Sequence, residues 1–153
     1  MIAAVSAVLA SEFAIIGMRQ YGVIHRLPDP PGFDSNFVIT SRAAYPLGIP
    51  DAALAVLGSG MLIALATARG ARRSPWLDLA LGAGIAVGGT GAVIYVGQMI
   101  RLRRACAYCI VGATGFLALA PLAARGVLRA WRRVRGAGRA RASPCTRRSP
   151  RTW

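Results

Sequence analysis

Apolar residues along the chain gather into four long runs separated by polar links. The runs cover about residues 2–18, 50–68, 76–100 and 106–124. A helix needs about 20 apolar residues to cross the hydrocarbon core of a bilayer, with a range of about 17 to 25. The pattern therefore predicts four membrane-spanning helices, and with them an all-α polytopic membrane protein built as a four-helix bundle.

The links between the runs differ in length and content. The first, residues 19–49, is long and contains four prolines, so it cannot form one continuous helix. The other two are short and rich in arginine. Within the third run Gly84, Gly88 and Ala92 recur at a spacing of four residues, which places them on one ridge of a helix. Small residues on such a ridge let helices approach closely in a bilayer, and we expect a helix contact there.

Charge is distributed unevenly along a strongly basic chain. Nineteen arginines stand against five acidic residues, which gives a net charge of +14. In a soluble protein this balance would suggest a nucleic-acid partner. Here 55% of the residues are apolar, the mean hydropathy is +0.49, and ten of the arginines follow the last run. A basic segment beside a span is typical of the cytoplasmic face of a membrane, so we expect no nucleic-acid partner.

The positive-inside rule sets the direction of the four spans. With the C-terminal segment in the cytoplasm, thirteen arginines lie inside and six outside. Both termini are then cytoplasmic, and the loop 19–49 and the start of the fourth run face outward. The chain divides into a four-span membrane domain, residues 1–127, and an Arg-rich cytoplasmic tail, residues 128–153, whose content of Ser, Pro, Gly and Ala predicts disorder.

Two of the three cysteines, Cys106 and Cys109, open the fourth run as a Cys-x-x-Cys pair. Residues three apart share one face of a helix, and the helix N-terminus, with Arg104 and its basic neighbours, stabilises a thiolate. A thiolate is the nucleophile of disulfide exchange, and the outer face of a bacterial membrane is where disulfides form. Oxidising a dithiol and reducing a quinone both transfer two electrons and two protons. The pair therefore predicts redox chemistry with a lipid quinone, which would reach Cys109 from within the bundle.

Two other interpretations of the pair stay open at this point. The cysteines could act as small apolar residues, or they could belong to a metal site, which for zinc needs four ligands. Besides the pair the chain offers only His25 and Cys145, and Cys145 falls on the opposite side of the predicted topology. We therefore expect no metal.

Four further residues place polar groups at informative positions. Glu12 lies inside the first run, where an ionisable group is costly and suggests either a proton relay or a carboxyl that stays protonated. Tyr95 and Tyr108 lie near the outer ends of their runs and suit interfacial aromatics. Tyr108, between the two thiols, could also line a quinone site. In the loop, Asp34 is expected to cap a short helix.

The chain resembles the vitamin K epoxide reductase family in three features. These are the four spans, the segment "SRAAYPLGIP" (residues 41–50) before the second span, and "CAYC" at the start of the fourth. The resemblance covers about residues 2–125. It implies a quinone-dependent thiol/disulfide oxidoreductase of the bacterial plasma membrane that supports disulfide formation in exported proteins. By this resemblance Cys109 is the thiol nearer the quinone, and Cys106 exchanges with a thioredoxin-like partner on the outer face. Ser41 helps to hold the loop over the quinone head group.

The chain departs from the family pattern at two places. The family usually has two more cysteines in the outer loop, which carry electrons between the partner and the membrane pair. Residues 19–49 contain none, and Ser35 stands at the place of one. The position four after Cys109 is Ala113, where some members have an aromatic residue against the head group.

The missing loop cysteines leave several interpretations of function. Either a partner reaches Cys106 directly, or a separate protein supplies the relay. The alternative is a non-enzymatic membrane scaffold or assembly subunit that retains the fold. A thiol metal carrier is a third interpretation, and it would need several copies of the chain to gather enough ligands.

Overall fold

The molecule is a bundle of long helices closed at one end by a folded loop. The computed structural model describes residues 1–71 and 74–142. In chain order it consists of α1 (Ile2–Gln20), α2 (Ser35–Ile39), two short 3₁₀ helices (Arg42–Ala44 and Pro46–Gly48), α3 (Asp51–Ala71), α4 (Pro75–Leu102) and α5 (Ala107–Ala142). These described residues contain helices and no strand, so the predicted all-α class is confirmed.

The four long helices α1, α3, α4 and α5 are each long and apolar enough to cross a membrane, which confirms the predicted four-span bundle. Each begins within one residue of the apolar run that predicted it. Large apolar side chains point away from the bundle, among them Leu57, Val87 and Leu117, which are 71%, 73% and 72% exposed. Such outward apolar faces suit contact with lipid chains rather than with water.

The end of α5 differs from the sequence prediction. α5 continues to Ala142, although residues 128–142 were expected to belong to a disordered tail. The segment is rich in Arg and Ala, which favour helix, and the guanidinium of Arg135 stacks 4.6 Å from the ring centroid of Trp131 one turn away. Residues 143–153, with Cys145, lie outside the described residues, and the division at residue 127 stays a prediction.

The helices associate mainly as two pairs, α1 with α3 and α4 with α5. The predicted ridge on α4 lies at helix contacts. A Cβ atom at Gly84 would come 2.9 Å from Leu62 Cδ2 on α3, and a Cβ at Gly88 would overlap the ring of Phe116 on α5. Gly88 therefore allows α5 to approach more closely than any other residue would permit, as expected for packing in a bilayer. At Gly84 the near atom is the end of the flexible Leu62 side chain.

Two hydrophobic clusters fill the bundle at different depths. One lies towards the end opposite the cysteines and consists of Leu9, Leu62, Leu81, Ile85, Leu119 and Ala123. The other joins the loop after α1 to the cysteine end of the bundle and consists of Ile16, Leu27, Val38, Ile39, Ala52, Met99 and Cys106. Because one cysteine is a member of this second cluster, the folding of the loop and the position of the thiol pair depend on each other.

Candidate active site

The cysteine pair lies at the turn between α4 and α5. Arg103 caps the end of α4 in a left-handed conformation (φ 51°), and Cys106 directly precedes α5. Cys106 and Cys109 are joined by a disulfide, with their Cα atoms 5.2 Å apart. The backbone N–H of Cys109 donates to Cys106 Sγ over 3.1 Å. The same N–H would stabilise a Cys106 thiolate in the reduced pair, so the helix N-terminus favours the nucleophilic form.

Cys106 is fully buried, although the sequence suggested that it exchanges with a partner. Its exposed fraction is 0%, and its backbone N–H donates to Met99 Sδ over 3.2 Å. Residues 27–39 of the loop after α1 pack against it, and we call this segment the cap. Cys109, one turn further along α5, is half-buried. Cys106 is therefore closed to a thiol donor in this conformation, and the cap is part of what covers it.

Polar contacts hold the cap on the cysteine turn. The backbone N–H of Asp34 donates to the Ala105 carbonyl over 2.8 Å, and the Asp34 carboxylate pairs with Arg104 over 2.7 Å. The hydroxyl of Ser35, which is fully buried, accepts from the Ala107 N–H over 3.0 Å. Ser35 thus satisfies one of the N–H groups that the first turn of a helix leaves unpaired. It does so at the position where the sequence resemblance places a loop cysteine.

Asp34 also begins α2, as the sequence predicted. Its side chain accepts from the backbone N–H of Phe37 over 3.4 Å, which is a helix N-cap contact. Asn36, on the same short helix, exchanges hydrogen bonds with the backbone of Leu27 in both directions, each 2.9 Å long. The cap is therefore an ordered unit with its own internal contacts, and it is attached to the cysteine end by the apolar cluster of Leu27, Val38 and Ile39 and by polar pairs at one edge.

A cavity of about 430 Å³ lies between the four long helices, with Cys109 in its wall. All four helices contribute to the lining, including Phe13 of α1, Ala55 of α3, Gly88 of α4 and Ala113 of α5. The wall is predominantly apolar, as in most sites for small hydrophobic ligands. Its position gives a ligand dissolved in the membrane direct contact with one sulfur of the pair.

Three polar side chains interrupt the apolar wall of this cavity: Asp51, Ser59 and Tyr95. Asp51 lies in the first turn of α3 and accepts a hydrogen bond from Gln20, whose side-chain amide also donates to the Ile39 carbonyl over 3.0 Å. Tyr95 of α4 faces Asp51. The hydroxyl of Ser59 is buried and has no hydrogen-bond partner in the described part of the chain. The cavity thus offers a small number of polar contacts, which could orient a ligand.

Ser41 and Tyr108, which the sequence suggested as quinone contacts, lie outside the lining of this cavity. The Ser41 hydroxyl donates to the Val38 carbonyl over 2.7 Å, and the Tyr108 hydroxyl donates to the Pro28 carbonyl of the cap over 3.0 Å. Each hydroxyl therefore donates to a backbone carbonyl of the cap and not to a ligand in the cavity. The structure brings together Cys106 and Cys109, and it places Tyr95, which the sequence suggested as an interfacial aromatic, in the cavity wall.

Glu12 of α1 is buried at 8% exposure, and neither of its carboxyl oxygens has a hydrogen-bond partner in the described residues. It lies against α5 at Gly112, one turn beyond Cys109. The sequence drew attention to Glu12 only by its depth in a span. Its closeness to the helix turn that follows the cysteine pair depends on how α1 packs against α5, which the sequence alone does not show.

Residues 1–124 match the sequence profile of the Vitamin K epoxide reductase family. The chain belongs to this family. The match covers the first three spans, the loop, the cysteine pair and the first half of α5, and it confirms the resemblance drawn from the sequence. No curated protein matches the chain. Family membership and four apolar helices together make the chain a multi-pass membrane protein, and the family is one of oxidoreductases that use a quinone.

Metal ligands do not gather at any point in residues 1–71 and 74–142. Those residues contain no group of three or more His, Cys, Asp or Glu side chains that could hold an ion.

Proposed function

We propose that this vitamin K epoxide reductase family member is a membrane thiol–quinone oxidoreductase of the bacterial plasma membrane. It passes electrons from a thiol donor through Cys106 and Cys109 to a lipid quinone and so supports disulfide formation in exported proteins. The observation that carries the proposal is that Cys109 lies in the wall of an apolar cavity enclosed by membrane helices. In the orientation that the arginines favour, the cap and the cysteine pair face outward and both termini are cytoplasmic.

The reaction divides into two balanced steps at the same sulfur pair. In the first, a thiolate of the donor attacks Cys106 Sγ, the Cys106–Cys109 bond breaks, and a second donor thiolate resolves the mixed disulfide. This leaves the donor oxidised and both cysteines reduced. In the second step the two cysteines lose two protons and two electrons and form their disulfide again, and the quinone gains both and leaves as quinol.

Tyr95 and Asp51 are the groups that we assign to the quinone head group. Ala113 follows Cys109 at the place where some family members carry an aromatic side chain, and here its methyl group leaves that part of the cavity wall open. Tyr95 enters the same cavity from α4 with a hydroxyl group. A phenol that donates to a quinone oxygen would position the ring beside Cys109, and Asp51 would orient the phenol.

Donor access needs a movement of the cap, because Cys106 is fully buried beneath it. The described part of the loop has no cysteine that could carry electrons past the cap. A thioredoxin-like donor would therefore have to displace the cap and attack Cys106 itself, or act through a separate protein that does so. The ion pair between Asp34 and Arg104 lies at the edge that has to open.

The test uses the purified protein in detergent, with Cys145→Ser to leave only the pair, reduced and kept free of oxygen. Menadione is added, and the free thiols of Cys106 and Cys109 are counted by mass spectrometry while the quinol is followed by absorbance. We expect both thiols to disappear with one quinol formed per disulfide. Cys109→Ser is the matched control and should form no quinol. Thiols that stay free in the native pair, with no quinol, would exclude the proposed reaction.

The sealed position of Cys106 favours a second candidate function, a membrane scaffold or assembly subunit without catalysis. A buried disulfide that no donor reaches would act as a structural bond between the turn and α5. The two functions differ in one measurable property, because a structural disulfide would not be restored by menadione after reduction.

A further inference from the structure

Glu12 is the one acidic residue of the chain that lies in the middle of a span. The other four lie in the cap or in the first turns of helices: Asp29, Asp34, Asp51 and Asp78. Glu12 is only 8% exposed, and neither carboxyl oxygen has a hydrogen-bond partner among the described residues. An unpaired carboxyl group in a hydrocarbon environment is costly. An ionisable residue kept at such a position therefore points to a function that needs its proton.

The contact between α1 and α5 places this carboxyl group next to the redox pair. A Cβ atom at Gly112 would lie 3.8 Å from Glu12 Oε2 and 3.3 Å from the ring of Phe13. The Glu12 carboxyl group therefore lies within van der Waals range of position 112 of α5, one turn beyond Cys109, while the absence of a side chain at Gly112 makes room for the Phe13 ring. Phe13, Cys109 and Gly112 all line the cavity of about 430 Å³. Glu12 itself lies outside this lining, behind Phe13 and Gly112, in the second layer of the wall that carries the reactive sulfur.

We propose that Glu12 moves a proton between Cys109 and the quinone, an inference that rests on the proposed function. In the oxidation of the pair, two S–H bonds break, one S–S bond forms, and two electrons pass to the quinone. Glu12 gives its proton to one quinone oxygen and takes the proton of Cys109 Sγ, so it ends the step unchanged. The proton of Cys106 leaves to water at the mouth of α5, and the second quinone oxygen takes up one proton from water, so the protons lost by the pair equal those gained by the quinone.

The ionisable groups around Glu12 limit what a pH profile can report. On α5, Tyr108 is near enough to interact with the Glu12 charge, and Cys109 lies one turn before Gly112, the position beside the Glu12 carboxyl group. α3, which packs on the other side of α1, carries Asp51 at one end and Arg69 at the other. The cysteine pair itself titrates in any variant, so the signature of Glu12 is an additional ionisation that disappears when its carboxyl group is replaced.

The experiment is a single turnover of the reduced, full-length protein with excess menadione between about pH 5.5 and 9. Thiol loss is followed by rapid quenching and mass spectrometry in the native protein, Glu12→Gln, Glu12→Asp and Ser6→Ala. Ser6 is the matched control, because it is another buried, unpaired polar residue on α1. Positioned acid–base groups contribute about a hundredfold or more to rate. We expect Glu12→Gln to lose about that factor and one ionisation, Glu12→Asp to recover part of both, and Ser6→Ala to match the native protein.

The outcomes separate this inference from the proposed function. If the native protein reacts and Glu12→Gln has the same rate and pH profile, the Glu12 inference is overturned and the proposed function stands. A slow Glu12→Gln variant with an unchanged pH profile would also overturn it, because a merely structural residue behaves in that way. If the native protein does not react with menadione, both are overturned. Circular dichroism and the quantitative formation of the disulfide by a chemical oxidant check that each variant is folded.

Discussion

The two ends of the bundle are built from different chemistry. At the end opposite the cysteines, α3 and α4 are joined by the ion pair of Arg69 and Asp78, and Leu-rich packing fills the space between the helices. At the cysteine end, buried side chains from the loop lie among hydrogen bonds, a disulfide and a cavity. The first end is fastened by contacts between long helices, whereas the second is covered by a short segment that apolar contacts and a few polar pairs attach.

This difference indicates how a small membrane protein can combine a fixed scaffold with a reactive site. Apolar packing between helices leaves no group to react and little room to move. The cap is small, and it is held by the apolar contacts of Leu27, Val38 and Ile39 together with polar pairs. The exposed pair of Asp34 and Arg104 contributes little and can be exchanged for contacts with a partner. Substitutions at the two ends should therefore have opposite effects on activity and on stability.

The largest effect should come from comparing one substitution at the cysteine end with one at the opposite end. Cys109→Ser should abolish quinone reduction and leave thermal stability in detergent close to that of the reduced native protein. Leu119→Ala, at a fully buried position of the opposite end, should do the reverse, with a loss of about 2 kcal/mol or more in stability and turnover retained in the folded fraction. Activity in Cys109→Ser would remove that sulfur from the mechanism.

Gly88 tests whether helix approach limits the stability of the scaffold. Gly88→Ala would push a methyl group into the ring of Phe116, and overpacking of this kind costs about 1–3 kcal/mol. Gly89→Ala is the matched control, because a Cβ atom there meets nothing within 4 Å. Thermal unfolding in detergent should separate the two variants clearly. Equal melting temperatures would mean that α4 and α5 can move apart at no cost.

Tyr95 and Tyr108 offer a direct comparison between the cavity and the cap. Loss of one hydrogen bond to a bound ligand costs about 1 kcal/mol, so Tyr95→Phe should raise the KM for menadione about fivefold. Tyr108→Phe should leave that KM unchanged, because its hydroxyl group binds the Pro28 carbonyl instead. If Tyr108→Phe raises the KM and Tyr95→Phe leaves it unchanged, Tyr108 and not Tyr95 contacts the quinone, as the sequence suggested.

The sequence was sufficient to predict the spans but not the residues that line the cavity, for a physical reason. Crossing a membrane depends on the length and hydropathy of a local segment, so each long helix began within one residue of its predicted start. The Cys-x-x-Cys pair is equally local. The wall of a cavity depends on which faces of separate helices meet, so Tyr95 and Asp51 were not recognised as a pair. The helix through residues 128–142 was missed because its composition resembles that of a tail.

The smallest effect should come from the edge of the cap. An exposed ion pair contributes about 0.2–1 kcal/mol, so Arg104→Gln, which removes the partner of Asp34, should speed the reduction of the Cys106–Cys109 disulfide by a dithiol about two- to fivefold. Arg103→Gln is the control, since the ion pair is made by its neighbour. The rate is measured by trapping free thiols after addition of dithiothreitol. If both variants react at the native rate, the Asp34 edge does not control access, and the cap opens elsewhere or Cys106 is reached by another route.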